Sequence, residues 1–353
     1  MKILYIHNNS IDSNEANIVQ VISNVNALRE LGVDISLLIG KASDGLGQIA
    51  MVREDVNMIF YQRKGILGRM KSLSLLKLLK HMAPYDYVYT RSFLGMLLGK
   101  IRAKKVIYEV HQYPDNTIIR LLKVHVLNLL GEITVIVISD ALKKLWLKAG
   151  LKKEVIVLHD GIDESLISEL NVLKPSGSEV IIGYVGSLYE NRKPERLVKL
   201  ASDFPELTFH IVGGPDSAVL ELKKKAKDIG ASNIKFFGYL NHKSGIEIMQ
   251  ECHILLGLWS WDVKTMKYCS PMKIFEYLGM NAAVVVEAYP TITEIASNNE
   301  CILVEPENYL ELKKAIKRII DDTGLLNRLN ENSNRLIKDF TWKERMKRLL
   351  AWL

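Results

Sequence analysis

The sequence predicts an α/β protein of two similar halves, each a mostly parallel sheet covered by helices on both faces. Three observations carry this. Apolar segments of strand length alternate with helical segments over residues 2–159. A polar stretch with Pro and Gly, NVLKPSGSE at 171–179, then breaks the pattern and reads as a linker. The alternation restarts at residue 180, without repeating the sequence of the first half.

In order, residues 2–7 (KILYIH) read as a strand and 8–17 as a polar loop. Residues 18–31 form a helix whose stripe is Val21, Ile22, Val25 and Leu28, stopped by Gly32. Strands follow at 33–39, 55–61, 85–89, 105–111, 134–139 and 154–159. The intervening helices are 68–82, 93–101, 117–130 and 140–149. This is the opening of a dinucleotide-binding fold, but the first loop, NNSIDSNEAN, has no G-x-G-x-x-G and no glycine at all. In the second half, strands are expected at 180–184, 208–212, 234–237, 253–258 and 282–286. Helices are expected at 194–203, 217–229, 245–251, 271–278, 308–321, 324–338 and 342–353.

Residues 268–287, YCSPMKIFEYLGMNAAVVVE, form the most informative stretch. Ser270 suits a helix cap and Pro271 the first helical position. Lys273 and Glu276 lie three apart and share a face. The amide end of such a helix suits a diphosphate, and a carboxylate one turn in suits a pair of sugar hydroxyls.

The 353 residues allow two ordinary domains, and 48% hydrophobic with 25% charged residues is a globular composition. Cys252, Cys269 and Cys301 are isolated, which favours a reducing compartment over a disulfide framework. The start MKILYIHNN is not a secretory signal, and no run is long enough to span a bilayer. A cytoplasmic protein is expected. The net charge of +7 suits nucleic acid, an anionic membrane or an anionic substrate.

Four segments taken in order resemble the retaining glycosyltransferases of family four: IIGYVGSLYENRKPERLVKLA (181–201), LTFHIVGG (207–214), IKFFGYLNHKSGIEIMQECHILL (234–256) and SPMKIFEYLGMNAAVVV (270–286). The first half adds IDSNEANIVQV (11–21), YTRS (89–92) and YEVH (108–111). The resemblance implies the GT-B fold, two Rossmann-like domains facing across a cleft. Residues 1–168 would form the acceptor domain, with 340–353 crossing back to it. Residues 169–339 would form the donor domain.

The resemblance also implies roles. Gly186, Ser187 and Gly213 would let backbone approach the donor phosphates, and Phe237, Gly238 and Tyr239 would line the nucleobase. Ser270, Pro271, Met272 and Lys273 would offer the helix end to the diphosphate, and Glu276 would bind ribose hydroxyls. Arg192 or Lys193 would neutralise the leaving diphosphate, with the choice between them open. His111 would reach the donor sugar. Asn14, Glu15, Ala16, Asn17 and Arg91 would form a loop at the donor sugar or acceptor. The family usually carries a Glu eight residues before the ribose Glu; Tyr268 stands there, which leaves the sugar unspecified.

The expected function is sugar transfer from a UDP- or GDP-type donor to a glycan or lipid-linked acceptor of polysaccharide synthesis, with retention. The rivals are a nucleotide-sugar epimerase of the same fold and a non-catalytic nucleotide-sugar-binding partner. The chain has no D-x-D pair, so neither a metal nor another cofactor is expected. Residues 63–105 hold eleven Lys or Arg and one acid, Asp86, and read as basic amphipathic helix. Such a segment either lies on an anionic membrane at the inner face of the cell or forms ordinary solvated domain helix. No nucleic-acid module is present, and no nucleic acid is expected as a partner.

Overall fold

The computed structural model describes residues 1–10, 16–40, 51–61, 82–103, 105–167 and 180–353. Asn14, Glu15, the linker at 171–179 and seven of the eleven basic residues of 63–105 lie outside the described residues. The chain divides into two compact units, Met1–Asp160 with Trp342–Leu353, and Gly161–Thr341.

The first unit holds a seven-stranded parallel sheet. Its strands are β1 (Lys2–Ser10), β2 (Asp34–Gly40), β3 (Asn57–Tyr61), β4 (Tyr87–Thr90), β5 (Lys105–Val110), β6 (Thr134–Val137) and β7 (Val155–Val157), in the order 3-2-1-4-5-6-7. Burial on both faces explains runs such as Ile3-Leu4-Tyr5-Ile6, all without solvent exposure. Helices α1 (Ala16–Glu30), α2 (Phe93–Arg102), α3 (Thr117–Leu129) and α4 (Asp140–Lys148) form the crossovers. Ser139, expected within a strand, instead caps α4 by accepting from the Leu142 amide.

The second unit repeats the plan with six parallel strands: β8 (Ile181–Val185), β9 (Thr208–Val212), β10 (Ile234–Gly238), β11 (Ile254–Gly257), β12 (Ala283–Glu287) and β13 (Ile302–Val304), ordered 10-9-8-11-12-13. The sequence reading omits β13, whose three residues are too short to show a period. The helices are α5 (Glu195–Asp203), α6 (Asp216–Asp228), α7 (His242–Gln250), α8 (Met272–Gly279), α9 (Pro290–Thr293), α10 (Tyr309–Asp321) and α11 (Thr323–Ile337). Helix α7 starts three residues earlier than expected, because the Asn241 side chain accepts from the Ser244 amide and caps it.

The last helix, α12 (Trp342–Trp352), belongs to the first unit and packs on α1. The division after Asp160, rather than at 168, has a packing reason. Ile162 and Ile167 lie against Gly279, where any Cβ would sit 2.6 Å from the Ile162 side chain. The Ile162 amide donates to the Phe340 carbonyl. Among the described residues no helix is long and apolar enough to cross a membrane.

Candidate functional site

The carboxyl ends of β8, β9 and β10 meet in a glycine-lined rim. The Gly186 amide donates to the Val212 carbonyl and the Gly213 amide to the Gly238 carbonyl. A Cβ on Gly213 would fall 1.8 Å from the Gly186 carbonyl oxygen, and its φ of 153° is one that L side chains rarely adopt. Ser187 follows directly, its carbonyl accepting from the Tyr184 hydroxyl at 3.0 Å. Gly238 turns β10 at φ 71°, leaving Phe237 half-buried against His210 and Tyr239 exposed. The structure thus brings Gly186, Ser187, Gly213, Phe237, Gly238 and Tyr239 to one edge.

Helix α8 is tied to the same edge. The Tyr277 hydroxyl accepts from the Val185 amide and donates to the Val185 carbonyl, at 2.9 and 3.0 Å. One expectation is corrected here: Ser270 does not cap this helix. The cap is Pro271, whose carbonyl accepts from the Ile274 amide; no side chain caps it, and Ser270 is buried. The helix accordingly starts at Met272, and the amides of Met272 and Lys273 form its open end.

Glu276 is buried and paired on both oxygens. Oε2 accepts from Lys273 Nζ at 2.5 Å, and Oε1 lies 2.9 Å from His242 Nε2. Burial alone would raise its pKa; the Lys273 charge and the His242 hydrogen bond overcome this and hold it below the usual glutamate range. An ionised carboxylate with four acceptor positions keeps room for hydroxyl donors. Tyr268 closes the short helix Lys264–Lys267 and is half-buried.

Arg192 and Lys193 separate clearly. Lys193 takes the left-handed conformation, φ 53°, and its ammonium lies 2.8 Å from Glu307 and 3.4 Å from Asp262. The Arg192 side chain has no ion pair among the described residues. Arg192 therefore has the cation available for an incoming anion, while Lys193 locks two loops together. Sequence reading passed over the group that organises these loops. Glu287, buried at the end of β12, accepts from Arg196 Nη1 and from the amides of Trp259 and Glu307. An acid closing an otherwise apolar strand was the available signal.

In the first unit, His111 follows β5 and joins a buried polar cluster. Glu109 Oε1 lies 2.6 Å from His111 Nε2, 3.1 Å from Gln20 Nε2 and 3.0 Å from Arg345 Nη2. Its other oxygen accepts from the Tyr89 hydroxyl. Gln20 spends its second amide hydrogen on Asp160, and its oxygen accepts from Arg91 Nη1. Arg91 also donates to the Asn17 carbonyl. Three expected residues, Asn17, Arg91 and His111, are thus joined through Gln20, which the sequence reading missed; Ala16 opens α1 just before them. Since Glu109 takes the proton of Nε2, the neutral ring presents Nδ1 as an acceptor.

Burial, then the Arg91 charge, lower the His111 pKa to about 4 despite Glu109. Burial would raise Glu109, but Arg345 and then His111 hold it well below the carboxylate range. Burial raises Asp160 to about 6, against the pull of Arg345.

These shifts set opposite pH dependences. The unfolded chain protonates His111 below 6.5, whereas the folded unit resists until about 4. Its contribution to stability is therefore complete above 6.5 and is lost as pH falls. Folded Asp160 holds a proton that the unfolded chain releases near 3.8, so its contribution is lost as pH rises toward 6. Between 4 and 6 the two oppose each other. Asp160→Asn should remove the opposing group, so that unfolding free energy rises from pH 4 to 6.5, by about 3 kcal/mol through His111 and further through Glu109. Urea midpoints across that range would measure it; the same slope in wild type and variant would refute the pairing.

Residues 166–336 match the family model described as Glycosyl transferases group 1. The match falls within the second unit, and the chain is an enzyme of the glycosyltransferase class. Among solved structures it is similar to HepE of Anabaena, in complex with UDP and glucose, at 18% identity and TM-score 0.76 over 100% of both chains. A glycosyltransferase from Rickettsia africae ESF-5 gives 17% identity and TM-score 0.75, covering 99% of this chain and 97% of that one. Sucrose-phosphate synthase from Thermosynechococcus elongatus gives 15% and 0.73, covering 99% and 98%. These likenesses show the fold, α/β of the GT-B class. A search of curated proteins gives no match.

Proposed function

We propose that the protein transfers a sugar from a UDP- or GDP-type donor to a glycan or lipid-linked acceptor of polysaccharide synthesis, with retention of configuration. One observation carries the donor side: Glu276, ionised and held between Lys273 and His242, beside the glycine rim and the open end of α8. In this reading Gly186, Ser187 and Gly213 admit the diphosphate to backbone amides, and Arg192 neutralises it as it leaves. Glu276 takes the ribose hydroxyls, Phe237 and Tyr239 face the base, and no metal ion is required. In the first unit, neutral His111 accepts from a sugar hydroxyl through Nδ1. The HepE structure with UDP and glucose supports trying UDP first.

Calorimetry with UDP and GDP tests the assignment. Glu276→Ala should weaken nucleotide binding by about tenfold or more, as hydrogen bonds to a charged acceptor contribute roughly 1.5–3 kcal/mol each. An unchanged affinity would sink the donor site.

A further inference from the structure

Helix α3 is built inside out. Val124 and Leu127 face the core, at 5% and 1% exposure. Its opposite face is also apolar: Ile118, Leu122 and Leu129 are 78%, 59% and 71% exposed, with Leu121 at 53% and Ile119 at 49%. Positions 118, 122, 125 and 129 fall on one stripe at helical spacing, with 121 beside it, and His125 is the only polar member. These five are the densest group among the seventeen large apolar side chains exposed in the described residues. An outward apolar stripe of this kind marks an interaction surface.

The charges on the helix sit at its flanks. Arg120 lies over the Tyr113 ring, 4.8 Å from its centroid, and donates to the Pro114 carbonyl. Lys123 is half-buried, 5.5 Å from the Phe93 centroid. No acid occurs between 117 and 129; Asp115 precedes the helix and Glu132 follows it. Two more lysines border its carboxyl end: Lys153 Nζ bonds the carbonyls of Leu130 and Gly131, and Lys100 Nζ bonds that of Glu132. A second copy would set this cationic border against a like one, in a chain of net charge +7. A surface that is apolar beneath and anionic at its face complements both features.

We propose that α3 docks the protein on an anionic lipid bilayer, with the stripe from Ile118 to Leu129 lying in the acyl boundary and the flanking cations at the headgroups. Its 13 residues extend only about 20 Å, so it lies in the interface and does not cross. The docking is independent of the donor chemistry, because UDP binding is read on the same proteins.

Purified protein would be sedimented with phosphatidylcholine vesicles, with and without phosphatidylglycerol, and characterised alone by size-exclusion chromatography. The wild type is expected to co-sediment with the anionic vesicles and to be released by salt. Ile118→Glu and Leu122→Glu should each cut partitioning about tenfold or more, with melting temperature and UDP affinity unchanged because both side chains are exposed. Failure of the wild type to bind would overturn the proposal, as would equal binding to the two vesicle types or variants that bind as the wild type does. Variants that turn a dimer into a monomer without altering vesicle binding would give the face to a second copy instead.

Discussion

Replacing Glu109 with alanine is expected to destabilise the first unit by roughly 3–5 kcal/mol, the cost of leaving a buried charge without its partner. The carboxylate is fully buried and receives Arg345, Gln20, His111 and Tyr89 together. Without it, the Arg345 guanidinium stays enclosed, held by Asn24 and the carbonyls of Leu158 and His159. These acceptors are neutral, and of the carboxylates acting on Arg345 only Asp160 would remain. Arg345→Met should recover part of the loss in the double variant, because the stranded cation is then gone. A shift in urea midpoint corresponding to less than about 1 kcal/mol for Glu109→Ala would show that solvent already reaches the pair.

Gly213→Ala should be the most damaging single change in the second unit. The new methyl would have to displace the Gly186 carbonyl, which lies on the adjoining strand end and cannot rotate away as a side chain can. The backbone conformation adds roughly 1–3 kcal/mol of strain. Movement of Gly186 would also disturb Ser187 and the amides facing the rim. The expected result is a lower melting temperature together with loss of UDP-induced stabilisation. Gly214→Ala is the comparison: its Cβ would meet nothing nearer than 3.5 Å, and it should be far milder. Equal effects at the two positions would discount the Gly186 contact.

Much of this architecture is legible in the sequence because parallel strands buried on both faces leave plain apolar runs. The Lys273–Glu276 pair is legible because helical spacing alone brings it together. The partners of Glu276 and His111 are harder. His242 reaches Glu276 from a helix 34 residues earlier, through a loop whose course no local pattern fixes. Whether Arg192 or Lys193 is available depends on Glu307 and Asp262, distant in sequence. Arg345 did leave a trace: with Trp342, Met346 and Leu349 it shares the buried stripe of α12, where a charge calls for a partner. That the partner is Glu109 needs the fold, as does the outward stripe of α3, whose leucines match core leucines in sequence.

The Glu109–Arg345 pair also bears on how the protein is made. The carboxylate leaves the ribosome 236 residues before the arginine that neutralises it. Until then Glu109 lacks its cation, so this buried pair can form only after the whole second unit has been translated. Gly161–Thr341 has no such dependence and can finish first. The unit that begins synthesis thus cannot complete its core until the second unit, inserted between its two parts in sequence, has been made.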